Sequence, residues 1–288
     1  MSKKKRPVAP GGRRAPGQKQ VRKPVSGTPA WVAPAAVAVV LAIIIGAFLI
    51  YRWYTTPLPL PSPSPNTTAA LIAQVTGLPA SEFETVGLGT ADKTRLTKVT
   101  GTPLVGATGK PQVFYVGGEF CPFCAAQRWP LIIALSRFGK FSGLDVTSSS
   151  ETDVNPNTPT FTFRRATFTS QYVDFRGLEV SDRQQQPLQS PSTAEQAVWS
   201  KYDPGQTIPF IDFGNLYVSS GAMYKPEVLG GQSWQAVIDA VKDPTSVAAQ
   251  AVIGSANLVT AAICKMTADK PAAVCSSAMI QDLETKLP

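Results

Sequence analysis

The sequence contains no histidine. That absence excludes Ser-His-Asp and Cys-His nucleophile systems and histidine-ligated zinc, and it removes the commonest general acid–base side chain. Acidic residues are missing from the whole stretch Met1 to Arg52, which carries ten lysines and arginines. The net charge of +8 is therefore a property of the N-terminus, because beyond Arg52 acidic residues outnumber basic ones by two. A folded part with that balance has no polyanion-binding signature, and no nucleic-acid partner is expected. Cysteine is scarce, four in 288 residues, and internal repeats are absent. Chemistry must come from cysteine, carboxylates, lysine, tyrosine or the backbone.

Residues 1–29 are rich in Lys, Arg, Pro and Gly and hold no aromatic residue. They offer too little apolar surface to fold, so a disordered basic tail is expected. A nucleic-acid-binding arm is the alternative, but a basic flank beside a membrane span is the simpler reading. From Ala30 to Tyr51, 22 consecutive residues lack charge. As a helix they would measure about 33 Å, enough for the hydrocarbon core. Trp31 at one end and Tyr51, Trp53 and Tyr54 at the other suit the interfacial belts. The run is longer than a signal-peptide core, and neither a small-x-small site nor a cysteine follows it. An uncleaved transmembrane signal anchor over 30–54 is predicted. Nine basic residues precede it and only Arg52 follows closely. The positive-inside rule then puts the tail in the cytoplasm and the main domain outside the cell membrane. Proline alternates from Pro57 to Pro65, which predicts an extended stalk over 55–66.

The remainder reads as an α/β domain over 67–244 followed by a C-terminal helical extension over 245–288. Helices are predicted over 69–76 and 80–86, each ended by a glycine. A strand runs from Gln112 to Val116 and leads through Gly117-Gly118 into a helix over Pro122–Phe138. Thr160–Phe163 and Phe168–Phe175 alternate like strands, and 192–202 carries a capping-box pattern. Phe210–Phe213, Gly214-Asn215 and Leu216–Ser219 form a hairpin signal. Ser233–Val241 is helical, and the alanine-rich end should break near Lys270-Pro271.

The cysteines fall into two pairs. Cys121-Pro122-Phe123-Cys124 stands directly after a strand and opens a helix. On a first helical turn two thiols three apart share a face, close enough for a disulfide with little backbone movement. The free N–H groups and the positive end of the helix favour a thiolate at Cys121. Pro122 at N1 loses nothing by its missing N–H. A thiolate of lowered pKa both attacks and leaves well, so the pair can exchange disulfides. Three other readings compete: half of a zinc site completed by carboxylates or by Cys264 and Cys275, a structural disulfide, and a scaffold used only for binding. Glu119 is a candidate proton-handling group near Cys124, though an exposed strand-end carboxylate is the blander expectation. No metal and no cofactor is expected.

Strand, CxxC and helix, followed later by Thr207-Ile208-Pro209 leading into a hairpin and a final helix, resemble the thioredoxin superfamily. Closer still, GGEFCPFCAAQRWPLIIALSRFGKFSGL, YDPGQTIPFIDFGN and AAICKMTADKPAAVC resemble a prokaryotic membrane-anchored family of thioredoxin-like proteins, domain-of-unknown-function family 929. The resemblance covers nearly all of the chain after the stalk. It implies a thioredoxin-like fold with a cis peptide before Pro209, which would face the active cysteines and hold extended substrate backbone. Ile208, Pro122 and Phe123 complete the substrate-facing set that it implies. The 84 residues between Cys124 and Pro209 exceed a minimal thioredoxin, so an insertion of strands and a helix is expected over about 150–205. Pro130 resembles the helix-kinking proline of thioredoxins, displaced by one residue, and Phe120 stands where a tryptophan is usual.

Cys264 and Cys275 have ten residues between them. A disulfide there would staple a helical hairpin and contribute roughly 2–3 kcal/mol, as an extracytoplasmic location permits. A second redox pair relaying electrons to Cys121 and Cys124 is the alternative. The expected function is a membrane-anchored dithiol–disulfide oxidoreductase with Cys121 as nucleophile and Cys124 as resolving thiol. Its partners would be extracytoplasmic proteins bearing cysteines and a membrane redox protein that resets the pair. The rival is a non-catalytic, membrane-tethered binding or assembly factor.

Overall fold

The computed structural model describes residues 32–55 and 61–288. The basic tail over 1–29 and residues 56–60 of the stalk lie outside the described residues. The chain divides into two compact units at Trp53 and Tyr54. The first is built on α1 (Val32–Thr55). Within it Pro34–Tyr54 is long and apolar enough to cross a membrane, and its large aliphatic side chains are exposed.

In the second unit α2 (Pro65–Thr76) starts earlier than the apolar pattern suggests. Ser64 caps it by accepting the Thr67 N–H at 3.2 Å, and Pro65 takes the N1 position that tolerates proline. The last residues of the expected stalk are thus the first turn of a helix. There follow α3 (Ala80–Val86), β1 (Leu96–Lys98), β2 (Gln112–Gly117) and α4 (Pro122–Ser136). Four short strands come next: β3 (Gly139–Ser142), β4 (Asp145–Ser148), β5 (Pro159–Thr162) and β6 (Thr167–Ser170). Then β7 (Asp174–Glu179), α5 (Thr193–Tyr202), β8 (Phe210–Phe213) and β9 (Tyr217–Ser220) lead to the helical C-terminus. That end comprises α6 (Trp234–Val241), α7 (Val247–Met266), α8 (Ala272–Cys275) and α9 (Ala278–Thr285).

The main sheet has the order β1-β9-β8-β2-β7. β2 pairs parallel with β7 and antiparallel with β8, and β8–β9 is the expected hairpin. β2 is buried on both faces, which explains its unbroken apolar run. Val113 and Tyr115 point into the larger core with α4 and α7, while Phe114 and Val116 point into a smaller one with Trp199 of α5.

Two expectations are corrected. The single strand over Phe168–Phe175 is two, because Ser170 turns the chain. Its hydroxyl accepts the Tyr172 and Val173 N–H groups at 3.0 and 3.3 Å and donates to Phe138 O at 2.6 Å. The extra elements between α4 and β8 begin at Gly139 rather than near 150, as two antiparallel pairs, β3–β6 and β4–β5. Within the expected insertion, β7 is an edge strand of the main sheet itself.

Starting at Val247, α7 lies inside the larger core, packed on α4, α3, α6 and α9. It is also long and apolar enough to cross a membrane, but 89% of it is buried in the protein, so it is a core helix.

Candidate active site

Cys121 is the N-cap of α4. Its Sγ accepts the Cys124 N–H at 3.4 Å, the job a serine or aspartate oxygen does at ordinary helix starts. Neither thiol is in a disulfide; Cys121 keeps 6% of its surface exposed and Cys124 is fully buried. Their surroundings drive them apart. A hydrogen bond from the Cys124 thiol, outweighing the cost of burial, brings Cys121 down to about 7; the Cys124 and Phe123 N–H groups and the Arg128 charge add to it. Burial pushes Cys124 well above the ordinary thiol range, its hydrogen bond to Cys121 reinforces this, and Arg128 pulls weakly the other way. The geometry sets one sulfur of lowered pKa at the helix start and one of raised pKa fully buried behind it.

Helix α4 holds this arrangement rigidly. Pro130 has no N–H to give to Ala126 O four residues back, and the Tyr224 hydroxyl takes its place at 2.7 Å. Trp129 Nε1 donates to Pro159 O at 2.9 Å and the Thr160 hydroxyl to Ala125 O at 2.8 Å, so the added β5 braces the helix. The β4–β5 connection reaches the cysteine loop, where the Ser150 N–H donates to Phe120 O at 2.8 Å.

One turn after Cys124, fully buried Arg128 forms a two-point ion pair with fully buried Glu179 of β7. Its Nη2 also donates to Gly118 O at 2.9 Å, below the cysteine loop. Burial alone would pull Arg128 down, but Glu179 more than offsets it and the guanidinium is held charged. Burial pushes the Glu179 carboxyl up while Arg128 and the Phe163 N–H draw it back. Sequence reading missed both residues. The signal was an arginine four residues after Cys124 in a helix with no other charge. Its partner was unreadable, since the two are 51 apart in sequence.

Glu119 corrects an expectation. It is buried, not exposed, and accepts the Thr162 hydroxyl at 2.6 Å. Of the residues expected to face a substrate, Pro122 is buried at N1 and Phe123 is 41% exposed. The Ile208–Pro209 peptide is cis, and Pro209 O accepts the Gly221 N–H at 2.8 Å. Ile208 reaches the cysteine loop, its Cδ1 lying 3.3 Å from where a Cβ on Gly118 would stand. Phe123 and Ile208 line one cavity of about 600 Å³. Among the described residues, no group of three or more Cys, Asp or Glu is placed to hold a metal ion.

Cys264 and Cys275 form a disulfide that ties α7 to α8, with both residues fully buried. Ala251, which borders the cavity beside Phe123, lies thirteen residues before Cys264 on α7, about 20 Å along the axis. Disulfide exchange needs sulfur-to-sulfur contact, and the structure bonds Cys264 to Cys275 alone, with Cys121 and Cys124 in no disulfide.

The fold and the site together define an α/β protein with a helix-capping dithiol, preceded by a membrane-length apolar helix. Residues 95–265, more than half of the chain, match the family described as Domain of unknown function (DUF929), and the chain belongs to that family. No curated protein and no solved structure matches it.

Proposed function

We propose that this protein is a thioredoxin-like thiol–disulfide oxidoreductase, anchored in the cell membrane by α1 and acting on protein cysteines outside it. The single observation that carries this reading is the placement of the two thiols: Cys121 caps α4 with its Sγ on the Cys124 N–H, and Cys124 lies fully buried one turn inside, which lowers the first thiol and raises the second. The strand order β7-β2-β8-β9, with the dithiol after β2 and the cis peptide before β8, supports the superfamily assignment. The nine basic residues before the span support a cytoplasmic N-terminus. Digestion of the main domain by protease added to intact spheroplasts is the expected result; a protected domain would reverse the topology.

In this mechanism the Cys121 thiolate attacks one sulfur of a substrate disulfide. That S–S bond breaks, the departing sulfur takes a proton, and a Cys121–substrate disulfide remains. Cys124 then gives up its proton and attacks Cys121 Sγ, releasing the second substrate thiol and leaving the Cys121–Cys124 disulfide. The substrate gains two electrons from the pair and two protons, one from the Cys124 thiol and one from solvent, where Cys121 left its own. Run backwards, the same steps donate a disulfide. A membrane redox protein would return the pair to its working state.

The test is Cys124→Ser, which should leave the attack intact and trap substrates as mixed disulfides that collapse under reductant, while Cys121→Ser abolishes turnover. If neither variant changes anything and no exchange occurs, the pair is structural and the binding-factor reading takes over.

A further inference from the structure

The cavity that Phe123 and Ile208 border is walled by parts of the chain far from the cysteines in sequence. Its volume of about 600 Å³ falls within the ~300–1,000 Å³ usual for ligand pockets. One wall is the segment after α3, laid directly on α7. A Cβ on Gly89 would stand 2.1 Å from Gln250 O, and one on Gly254 2.2 Å from Leu88 O, so only glycine allows this approach. Thr90 N–H donates to Gln250 O at 2.9 Å and fastens the segment there. The floor is the turn after β9, where the Met223 N–H donates to Gln127 Oε1 at 2.9 Å and Met223 O accepts the Asp92 N–H at 2.9 Å. Tyr224 is fixed by its bond to Ala126 O. The walls are therefore preformed, and they meet the active-site loop at exposed Phe123 and at Ile208.

Two properties identify the occupant. The lining is chiefly apolar, with Phe123, Ile208, Met223, Val228 and Ala251. At the rim Arg95 reaches Asp92 through Nε alone, at 3.3 Å, so its terminal nitrogens have no partner among the described residues. Lys225 adds a second exposed cation, and the rim keeps one surplus positive charge. Resting on the oxidoreductase reading, we infer that this cavity selects substrates: it takes an apolar side chain close in sequence to the target cysteine, with an acidic residue beside it at Arg95. On this reading a polypeptide presenting its disulfide to Cys121 lies across exposed Phe123, and its neighbouring side chain enters the cavity.

The experiment uses the reduced full-length chain in detergent. The first probe is 2,2′-dithiodipyridine, too small to need the cavity. The others are disulfide-linked dimers of the blocked pentapeptide Gly-Phe-Glu-Cys-Gly and of its counterparts with Ala for Phe or Lys for Glu. The Phe dimer should react roughly tenfold faster than the Ala dimer. Thr90→Trp and, independently, Val228→Trp should erase that ratio and leave the dithiodipyridine rate unchanged. Arg95→Glu should invert the preference between Glu and Lys. Equal rates for the Phe and Ala dimers, or a ratio that survives both tryptophans, would overturn the inference. Calorimetry with the Phe-Glu peptide carrying Ser for Cys reads the cavity without sulfur chemistry. Binding that both tryptophan variants abolish supports the inference even if dithiodipyridine never reacts, in which case the oxidoreductase reading alone falls. Absence of binding by the wild type sinks the cavity site.

Discussion

Arg128 and Glu179 grip each other inside the protein at two points, Nε to Oε1 at 2.9 Å and Nη2 to Oε2 at 2.5 Å, with neither side chain exposed. The pair joins the helix that starts at the dithiol to the edge strand beside β2. It places a fixed positive charge within electrostatic reach of both cysteines.

Breaking this pair should be costly, whereas replacing it need not be. Arg128→Ala or Glu179→Ala strands a charge in the interior and should cost about 3–5 kcal/mol in urea unfolding. Arg128→Met combined with Glu179→Leu should recover most of that loss. The double variant also removes a cation that lowers Cys121, so its alkylation midpoint should move up in pH. A double variant no more stable than the singles, with an unmoved midpoint, would deny the pair both roles.

Iodoacetamide labelling of the reduced protein should follow Cys121 alone, with a midpoint near pH 7. The largest contribution to that lowering is the hydrogen bond from the Cys124 thiol. Cys124→Ala should therefore raise the midpoint, while Cys124→Ser, which keeps a donor, should hold it closer to the native value. Mass spectrometry of the labelled sites decides, and comparable labelling of Cys124 in the native chain would contradict the burial argument.

The Cys264–Cys275 disulfide should act only on stability. Replacing both cysteines by alanine should lower unfolding stability by roughly 2–3 kcal/mol and leave disulfide exchange at Cys121 intact. Because both sulfurs are buried, mild reductant should not open the bond in the folded protein. Loss of exchange with stability preserved would make the bond a relay.

Asp212 gives the fold a pH dependence. It is buried in β8, accepts the Asn215 N–H at 2.6 Å through Oδ1, and its Oδ2 has no partner among the described residues. Burial raises it to about 7, against the pull of the Asn215 N–H and Lys201. The folded state then holds a proton that the unfolded chain releases near its ordinary value of ~3.9. This stabilisation is complete below about pH 4 and is lost as pH rises through about 7. Asp212→Asn should flatten that decline in urea melts taken from pH 4 to pH 8. A parallel decline in the variant would place the titration elsewhere.

Much of this protein was legible in the sequence because the signals are local. The apolar run of α1, the capping box at Ser192 and Glu195, the proline at N1 of α4 and the turn at Gly214-Asn215 depend on neighbours within a few positions, and all are present as read. The spacing of Cys121 and Cys124 likewise determined that they share a first helical turn. Strand β7 was missed because Arg176, Gly177 and Glu179 interrupt its apolar pattern, and Glu179 becomes a core residue only once Arg128 meets it. Glu119 read as exposed for the same reason: its partner, Thr162, is 43 residues away. The cavity is assembled from the α3–β1 segment, the cysteine loop, the segment before β8, the turn after β9 and α7. Local pattern determines which segments fold and which sulfurs can meet. Only tertiary packing decides which buried charges find partners and where an opening remains, since both depend on contacts between residues far apart in the chain.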